Sequence, residues 1–147
     1  MPVKVGDVAP DFKLLSGGKG EVSLSEFKGS KSVILYFYPK DETQGCTKEA
    51  CAFRDSYEAF KEQGAEVLGV SSDTVDSHTK FAEHHNIAFP LLSDPHGNVR
   101  KAYGVPSTLG LIPGRVTYVI DKQGVVRYIF NSQTRPERHV REALNAL

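Results

Sequence analysis

The longest apolar run in the chain is Val33-Ile34-Leu35-Tyr36-Phe37-Tyr38, and Pro39 stops it. Six residues are far too few to cross a bilayer. The run reads as a buried strand, and such strands belong to sheets with helices packed on them. A polar loop follows, Lys40-Asp41-Glu42-Thr43-Gln44-Gly45, then Cys46, then the helix-forming stretch Glu49-Ala50-Cys51-Ala52-Phe53-Arg54. The order strand, loop, cysteine, helix puts Cys46 in the first turn of a helix. Backbone N–H groups are unpaired there and the dipole end is positive. A thiol so placed ionises more readily, and the thiolate is the reactive form. Cys46 and Cys51 are the only cysteines. The segment reads as a redox site.

The rest of the chain supports the same architecture. Residues 5–24 read as extended segments broken by Ser16-Gly17-Gly18-Lys19-Gly20. That glycine cluster lacks the Gly-Lys-Ser/Thr ending of a phosphate loop, so it reads as a hairpin turn. A helix is expected over 47–63, with Ala50, Phe53, Tyr57 and Phe60 on one stripe and Gly64 closing it. A strand over 66–71 and a helix over 74–85 follow, the helix capped by Ser72 or Asp73. Residues 89–92 read as extended and 99–103 as a short helix. Strands over 115–120 and 125–130 join through the turn Asp121-Lys122-Gln123-Gly124. A helix over 136–147 closes the chain, with Pro136 in its first turn. Phe81, Phe89, Tyr103 and Tyr118 are expected in the core. Alternating strands and helices imply parallel pairing, and the late hairpin adds antiparallel strands. The fold class is α/β: a thioredoxin-like sandwich, with a central mixed sheet flanked by helices and an N-terminal hairpin extension.

Composition narrows the function. The 147 residues are the usual size of one domain, 1–147, and 39% hydrophobic residues suffice for a core without disulfides. Lys plus Arg and Asp plus Glu are 18 each, which argues against a broad electrostatic grip on nucleic acid or an anionic membrane. Two cysteines in a core-rich chain suit a reducing compartment. The N-terminus lacks the apolar stretch of a signal peptide. Cytoplasmic location is expected, with a plastid left open in case a transit peptide has been removed. The histidines His78, His84, His85, His96 and His139 are scattered. His84 and His85 are adjacent and should not share a helix face. Zinc held by both cysteines and two histidines is not expected, nor is any other metal or cofactor.

Pro39-x-x-x-Thr43-x-x-Cys46 resembles the peroxidatic motif of the peroxiredoxins. The longer text from Tyr36 to Cys51 is similar to the Q-type branch, also called the bacterioferritin-comigratory-protein group, which carries a second cysteine five positions after the first. Val8-Ala9-Pro10-Asp11-Phe12, Gly69-Val70-Ser71 and Pro113-Gly114-Arg115-Val116-Thr117-Tyr118-Val119-Ile120-Asp121 extend the likeness over nearly the whole chain. One departure is Gln44, where the branch usually has proline, which would stiffen the loop.

The resemblance implies a thiol peroxidase acting on hydrogen peroxide and organic hydroperoxides. It makes Cys46 the nucleophile and Cys51 the resolving cysteine. Thr43 becomes a partner of the thiolate and peroxide, though it would also serve as a helix N-cap. Pro39 shields the thiolate, or merely ends the strand. Arg115 holds the thiolate and stabilises charge as the O–O bond breaks. Glu49 orients Arg115, or pairs with the dipole of the first turn. The resemblance also implies an intramolecular Cys46–Cys51 disulfide, thioredoxin or a similar dithiol as reductant, and a monomer.

Helix geometry adds a constraint. Five residues along a helix separate two Cα atoms by about 8–9 Å, whereas a disulfide needs them within about 7 Å. The helix must unwind over about 43–53 before Cys46 and Cys51 can join. Two other readings remain at this point. A thiol–disulfide oxidoreductase would favour Cys-x-x-Cys over the Cys-x-x-x-x-Cys seen here. A redox-sensing holdase would react only slowly with peroxide.

Overall fold

The computed structural model describes residues 2–17, 20–108 and 112–147. In chain order the elements are β1 (Lys13–Ser16), β2 (Gly20–Ser23), a 3-10 turn (Leu24–Phe27), β3 (Ser32–Phe37), α1 (Gln44–Asp55), α2 (Tyr57–Glu62), β4 (Ala65–Ser71), α3 (Val75–His85), β5 (Leu91–Ser93), α4 (Asn98–Tyr103), β6 (Ser107–Thr108), β7 (Ile112–Pro113), β8 (Val116–Ile120), β9 (Val126–Asn131) and α5 (Arg138–Asn145). The main sheet runs β2-β1-β5-β4-β3-β8-β9. Strands β3, β4 and β5 are parallel, and the β1, β2, β8 and β9 pairings are antiparallel. This is the expected mixed sheet of a thioredoxin-like sandwich, with the β1–β2 hairpin on one edge.

Strand β3 lies between β4 and β8 and is apolar on both faces for that reason. Val33, Leu35 and Phe37 face one core with Phe12, Leu24, Tyr103, Val116 and Tyr118. Ile34, Tyr36 and Tyr38 face the other, which α1, α2, α3 and α5 cover with Cys46, Ala50, Phe53, Phe60, Phe81 and Val140. Phe81, Phe89, Tyr103 and Tyr118 are all buried, as expected. No helix among the described residues is long and apolar enough to cross a membrane.

Four local expectations are corrected. The helix expected over 47–63 starts three residues earlier and breaks at Ser56 (φ −100°, ψ 4°) into α1 and α2. Asp55 and Ser56 are weak helix formers, and the Ser56 amide is shared between the carbonyls of Ala52 and Phe53 at 3.2 Å each. The cap of α3 is Thr74, whose Oγ1 accepts the Ser77 N–H at 3.1 Å. Asp73 is instead engaged by the Asp41 N–H (2.8 Å) and the Ser71 hydroxyl (2.7 Å). The extended piece expected over 89–92 is strand Leu91–Ser93, reached after Pro90. Pro136 precedes α5, whose N-cap is Glu137. Gly64 (φ 74°) does close the α2 end, in the left-handed region that favours glycine.

Candidate active site

The sheet itself assembles the site. Phe37, the last residue of β3, pairs with Val70 on one side and Val116 on the other. Because β8 runs antiparallel to β3, the residue just before Val116 lies beside the loop that leaves β3. Arg115 thereby meets the Pro39–Gly45 loop at the carboxyl edge of the parallel strands, the usual position of sites in such sheets. Arg100 of α4 holds the two lips together. It donates to the Tyr38 carbonyl (3.1 Å) and the Gly114 carbonyl (3.2 Å).

Helix α1 begins at Gln44, so Cys46 is its third residue and lies among the unpaired amides. The first turn carries no acidic side chain, so none of its own carboxylates offsets the positive end of the helix. Cys46 is 1% exposed and packs among the apolar side chains under α1. The Arg115 guanidinium lies beside it, and the sulfur helps to hold that guanidinium charged. Gly45 permits this approach: a Cβ there would stand 3.0 Å from Arg115 Nη2.

Glu49 follows Cys46 by three residues and so points to the same face. It is 0% exposed, and Arg115 Nη1 donates to its Oε1 at 2.7 Å. Glu49 lies beyond the first turn, so the dipole-pairing alternative does not describe it. Burial pushes its carboxyl up to about 8, and the guanidinium offsets only part of that. Burial alone would lower Arg115, but Glu49 and Cys46 outweigh it and hold the guanidinium charged. The second carboxylate oxygen, Oε2, accepts no hydrogen bond and stands 3.5 Å from His139 Nδ1. His139 Nε2 must donate to the Ser132 carbonyl (2.8 Å), so in the neutral ring Nδ1 is the acceptor for the Thr117 hydroxyl (2.8 Å). Two acceptors therefore face each other unless a proton sits between them, which agrees with a Glu49 that gives up its proton late. Burial lowers His139 to about 4.

Thr43 occupies the N-cap position with extended backbone (φ −78°, ψ 155°), but its side chain makes no cap bond. Its hydroxyl donates instead to the Lys40 carbonyl at 2.8 Å, leaving the oxygen as an acceptor. Pro39 is half-buried at the end of β3. Cys51 is half-buried on the intact α1, and both thiols are free. The structure thus brings Cys46, Arg115 and Glu49 into contact and places Thr43 and Pro39 on the adjoining loop, with Cys51 further along the same helix.

Sequence reading missed three supports. Arg100 and His139 are described above. The third is Asp41, 4% exposed, which anchors the loop. It accepts from the hydroxyls of Tyr38 (2.6 Å) and Ser77 (2.8 Å) and lies 2.7 Å from His78 Nδ1. His78 shares the buried stripe of α3 with Phe81, three residues on; that spacing was the available signal. The adjacent His84 and His85, expected on different faces, both meet Glu42, because each reaches it through a different ring nitrogen.

Sheet and site together define a thiol-dependent oxidoreductase of the thioredoxin-like class. A family model described as AhpC/TSA family matches residues 5–129. "Peroxiredoxin Q, chloroplastic" of Triticum aestivum is 56% identical over 146 residues, which is 99% of this chain and 67% of that protein. The protein of the same name from Sedum lineare is 55% identical, over 99% of this chain and 78% of its own length. Among solved structures, peroxidoxin BcpB from Mycobacterium tuberculosis gives a TM-score of 0.90 at 38% identity, covering 98% of this chain and 96% of that one. A cysteine-to-serine mutant of PrxQ from Xylella fastidiosa also gives 0.90, at 30% identity, covering 99% and 95%. The chain belongs to the AhpC/TSA family and, within it, to the Q-type peroxiredoxins. It is a thiol peroxidase, an oxidoreductase that consumes peroxide and a thiol reductant.

Proposed function

We propose that Cys46 is the peroxidatic nucleophile and Cys51 the thiol that resolves it, within a single domain spanning 1–147. The observation that carries this reading is the Cys46–Arg115–Glu49 contact at the head of α1. Cys46 thiolate attacks the terminal peroxide oxygen, the O–O bond breaks, and the departing alkoxide or hydroxide takes a proton. The products are a sulfenic acid and an alcohol or water. Arg115 faces both the thiolate and the charge that develops on the leaving oxygen. The Thr43 oxygen, its proton committed to Lys40, accepts from the peroxide O–H. Pro39 keeps water from the sulfur. Glu49 positions Arg115; in its protonated form it leaves the full guanidinium charge to the sulfur.

Cys51 then displaces hydroxide from the sulfenic acid, forming the Cys46–Cys51 disulfide and water. Both cysteines lie within α1, about 8–9 Å apart along a regular helix, so this step requires α1 to unwind. An external dithiol of the thioredoxin type reduces the disulfide, and the enzyme works as a monomer. The matched plant relatives are chloroplastic, which gives the cytoplasmic expectation no support; we place the protein in a plastid.

The test is mass spectrometry after one equivalent of peroxide, followed by thioredoxin. The expected result is loss of two hydrogens, reversed by thioredoxin. Cys46→Ser should abolish turnover. Cys51→Ser should give one fast oxidation and no thioredoxin-driven recycling. Full recycling by the Cys51 variant would remove it from the mechanism.

A further inference from the structure

Glu42 is one of two described non-glycine residues with positive φ, at 63°. That conformation costs a β-carbon residue about 1–2 kcal/mol. The turn delivers its carboxylate to the end of α3. There it lies 3.1 Å from His84 Nδ1 and 3.0 Å from His85 Nε2. The three ligand-type atoms all fall within 4.8 Å of one another.

We propose that Glu42, His84 and His85 form a binding site for a divalent transition-metal ion of the zinc class, and that the bound ion pins the active-site loop to α3. Two imidazoles and one carboxylate, with a fourth position open to water, are a zinc-type donor set. Imidazole ligands argue against calcium and magnesium, which take oxygen. Tetrahedral zinc with bonds of about 2.0–2.1 Å sets its ligand atoms about 3.3 Å apart. From the single oxygen Oε1 of Glu42 the separations are 3.3 Å to His84 Nδ1 and 3.0 Å to His85 Nε2, close to this value. The site is open on the solvent side, with side-chain exposures of 67% for His84 and 47% for Glu42. It is fixed on the protein side, where the His85 ring packs edge-on against Phe81 at 5.1 Å.

The location gives the site a consequence. Glu42 immediately precedes Thr43, where the segment that must unwind begins. Arg54, beyond its other end, donates to the His85 carbonyl at 2.7 Å. Both ends of that segment are therefore anchored at one point on α3. An ion that binds only the folded loop opposes unwinding by mass action. This consequence rests on the proposed Cys46–Cys51 disulfide; ion binding itself does not.

The binding experiment uses protein carrying Cys46→Ser and Cys51→Ser, so that no thiol competes for metal. Zinc is titrated calorimetrically, and cobalt replaces it for absorption spectroscopy. One ion per chain is expected, with an intense tetrahedral cobalt band. Adding His84→Ala or Glu42→Gln should weaken zinc binding by about tenfold or more. Unchanged affinity in both variants, or no binding, overturns the site whatever the fate of the peroxidase reading. For the loop, disulfide formation after a peroxide pulse is timed with and without zinc at one hundred times its Kd. The cysteine-intact protein should slow by about ten- to a hundredfold, and its His84→Ala variant should not. Equal slowing in both would place the effect on the thiols and overturn the loop-pinning.

Discussion

Replacing Glu49 with Gln should change the shape of the stability–pH curve, and the structure fixes how. Burial raises Glu49 from 4.5 to about 8. A group held above its unfolded value is most comfortable protonated, so its contribution is intact below 4.5 and is lost as pH climbs to about 8. At 1.36 kcal/mol per unit the full loss is about 5 kcal/mol. Neighbouring His139 has the opposite sign. It is lowered from 6.5 to about 4, so its contribution is present above 6.5 and is lost as pH falls through that window. The two nearly cancel between 4.5 and 6.5. Above 6.5 Glu49 acts alone, and about 2 kcal/mol should disappear by pH 9. In Glu49→Gln the amide oxygen still accepts from Arg115 and the amide nitrogen can donate toward His139 Nδ1, so the fold should persist. Its stability should climb by about 2 kcal/mol from pH 4.5 to 6.5 and then stay flat. Urea unfolding at half-unit steps of pH reads this directly, with both proteins carrying Cys46→Ser and Cys51→Ser so that no thiol titrates beside the pair. If the variant keeps the decline above 6.5, the proton does not reside on Glu49 and the electrostatic account of the site is wrong.

Three further outcomes follow from the geometry. In the disulfide form, amide hydrogen exchange over 43–53 should accelerate while β3 and β4 stay slow; equal protection in both redox states would contradict the unwinding step. Arg115→Lys should lower the rate of Cys46 oxidation by about a hundredfold, because an ammonium cannot hold the sulfur and Glu49 with one planar fork; stopped-flow oxidation measures it, and a near-normal rate would remove Arg115 from the chemistry. Asp41→Ala should destabilise the protein by about 3–5 kcal/mol in urea, since it removes the carboxylate partner of the buried His78 and Tyr38; a loss under about 1 kcal/mol would show that the network anchors nothing.

How much of this was legible depended on the range of each interaction. Strand β3, the 121–124 hairpin turn and the first-turn position of Cys46 are local consequences of a short apolar run and its punctuation, and they read directly; the turn expected at Ser16–Gly20 includes residues 18 and 19, which lie outside the described residues. Arg115 and Glu49 were readable only through the family resemblance, because their meeting depends on antiparallel register 66 residues apart. Arg100 and Asp41 carried no such signal, since an Arg in a short helix and an Asp in a polar loop look solvated until the sheet closes. The Ser56 break was missed because the apolar stripe runs through it unbroken, and the Thr74 cap was placed on its neighbours because Ser72 and Asp73 offer equivalent caps and Asp73 is taken by tertiary partners such as Asp41.

The weak ends of α1 now acquire a reason. Its N-cap side chain turns away to Lys40, its first residue is Gln44, and Ser56 cuts it from α2. Proline at that first position would preset φ and remove an amide that is unpaired anyway; Gln44 keeps the donor and the freedom. What holds α1 is therefore its buried face, Cys46, Ala50 and Phe53 with Glu49 paired to Arg115, and two ties at α3, Arg54 to the His85 carbonyl and Glu42 beside the histidines. A helix packed along one face but weakly capped at its ends can hold the thiol rigidly while reduced and still release residues 43–53 once the sulfur is oxidised. A more conventional capping scheme would stabilise the first state at the expense of the second. Restoring a side-chain cap with Thr43→Asp would add a local carboxylate against the thiolate as well, so Gln44→Pro is the cleaner probe. It should leave peroxide reduction nearly unchanged while slowing disulfide closure, and acceleration of both steps would break the link between helix-end weakness and resolution.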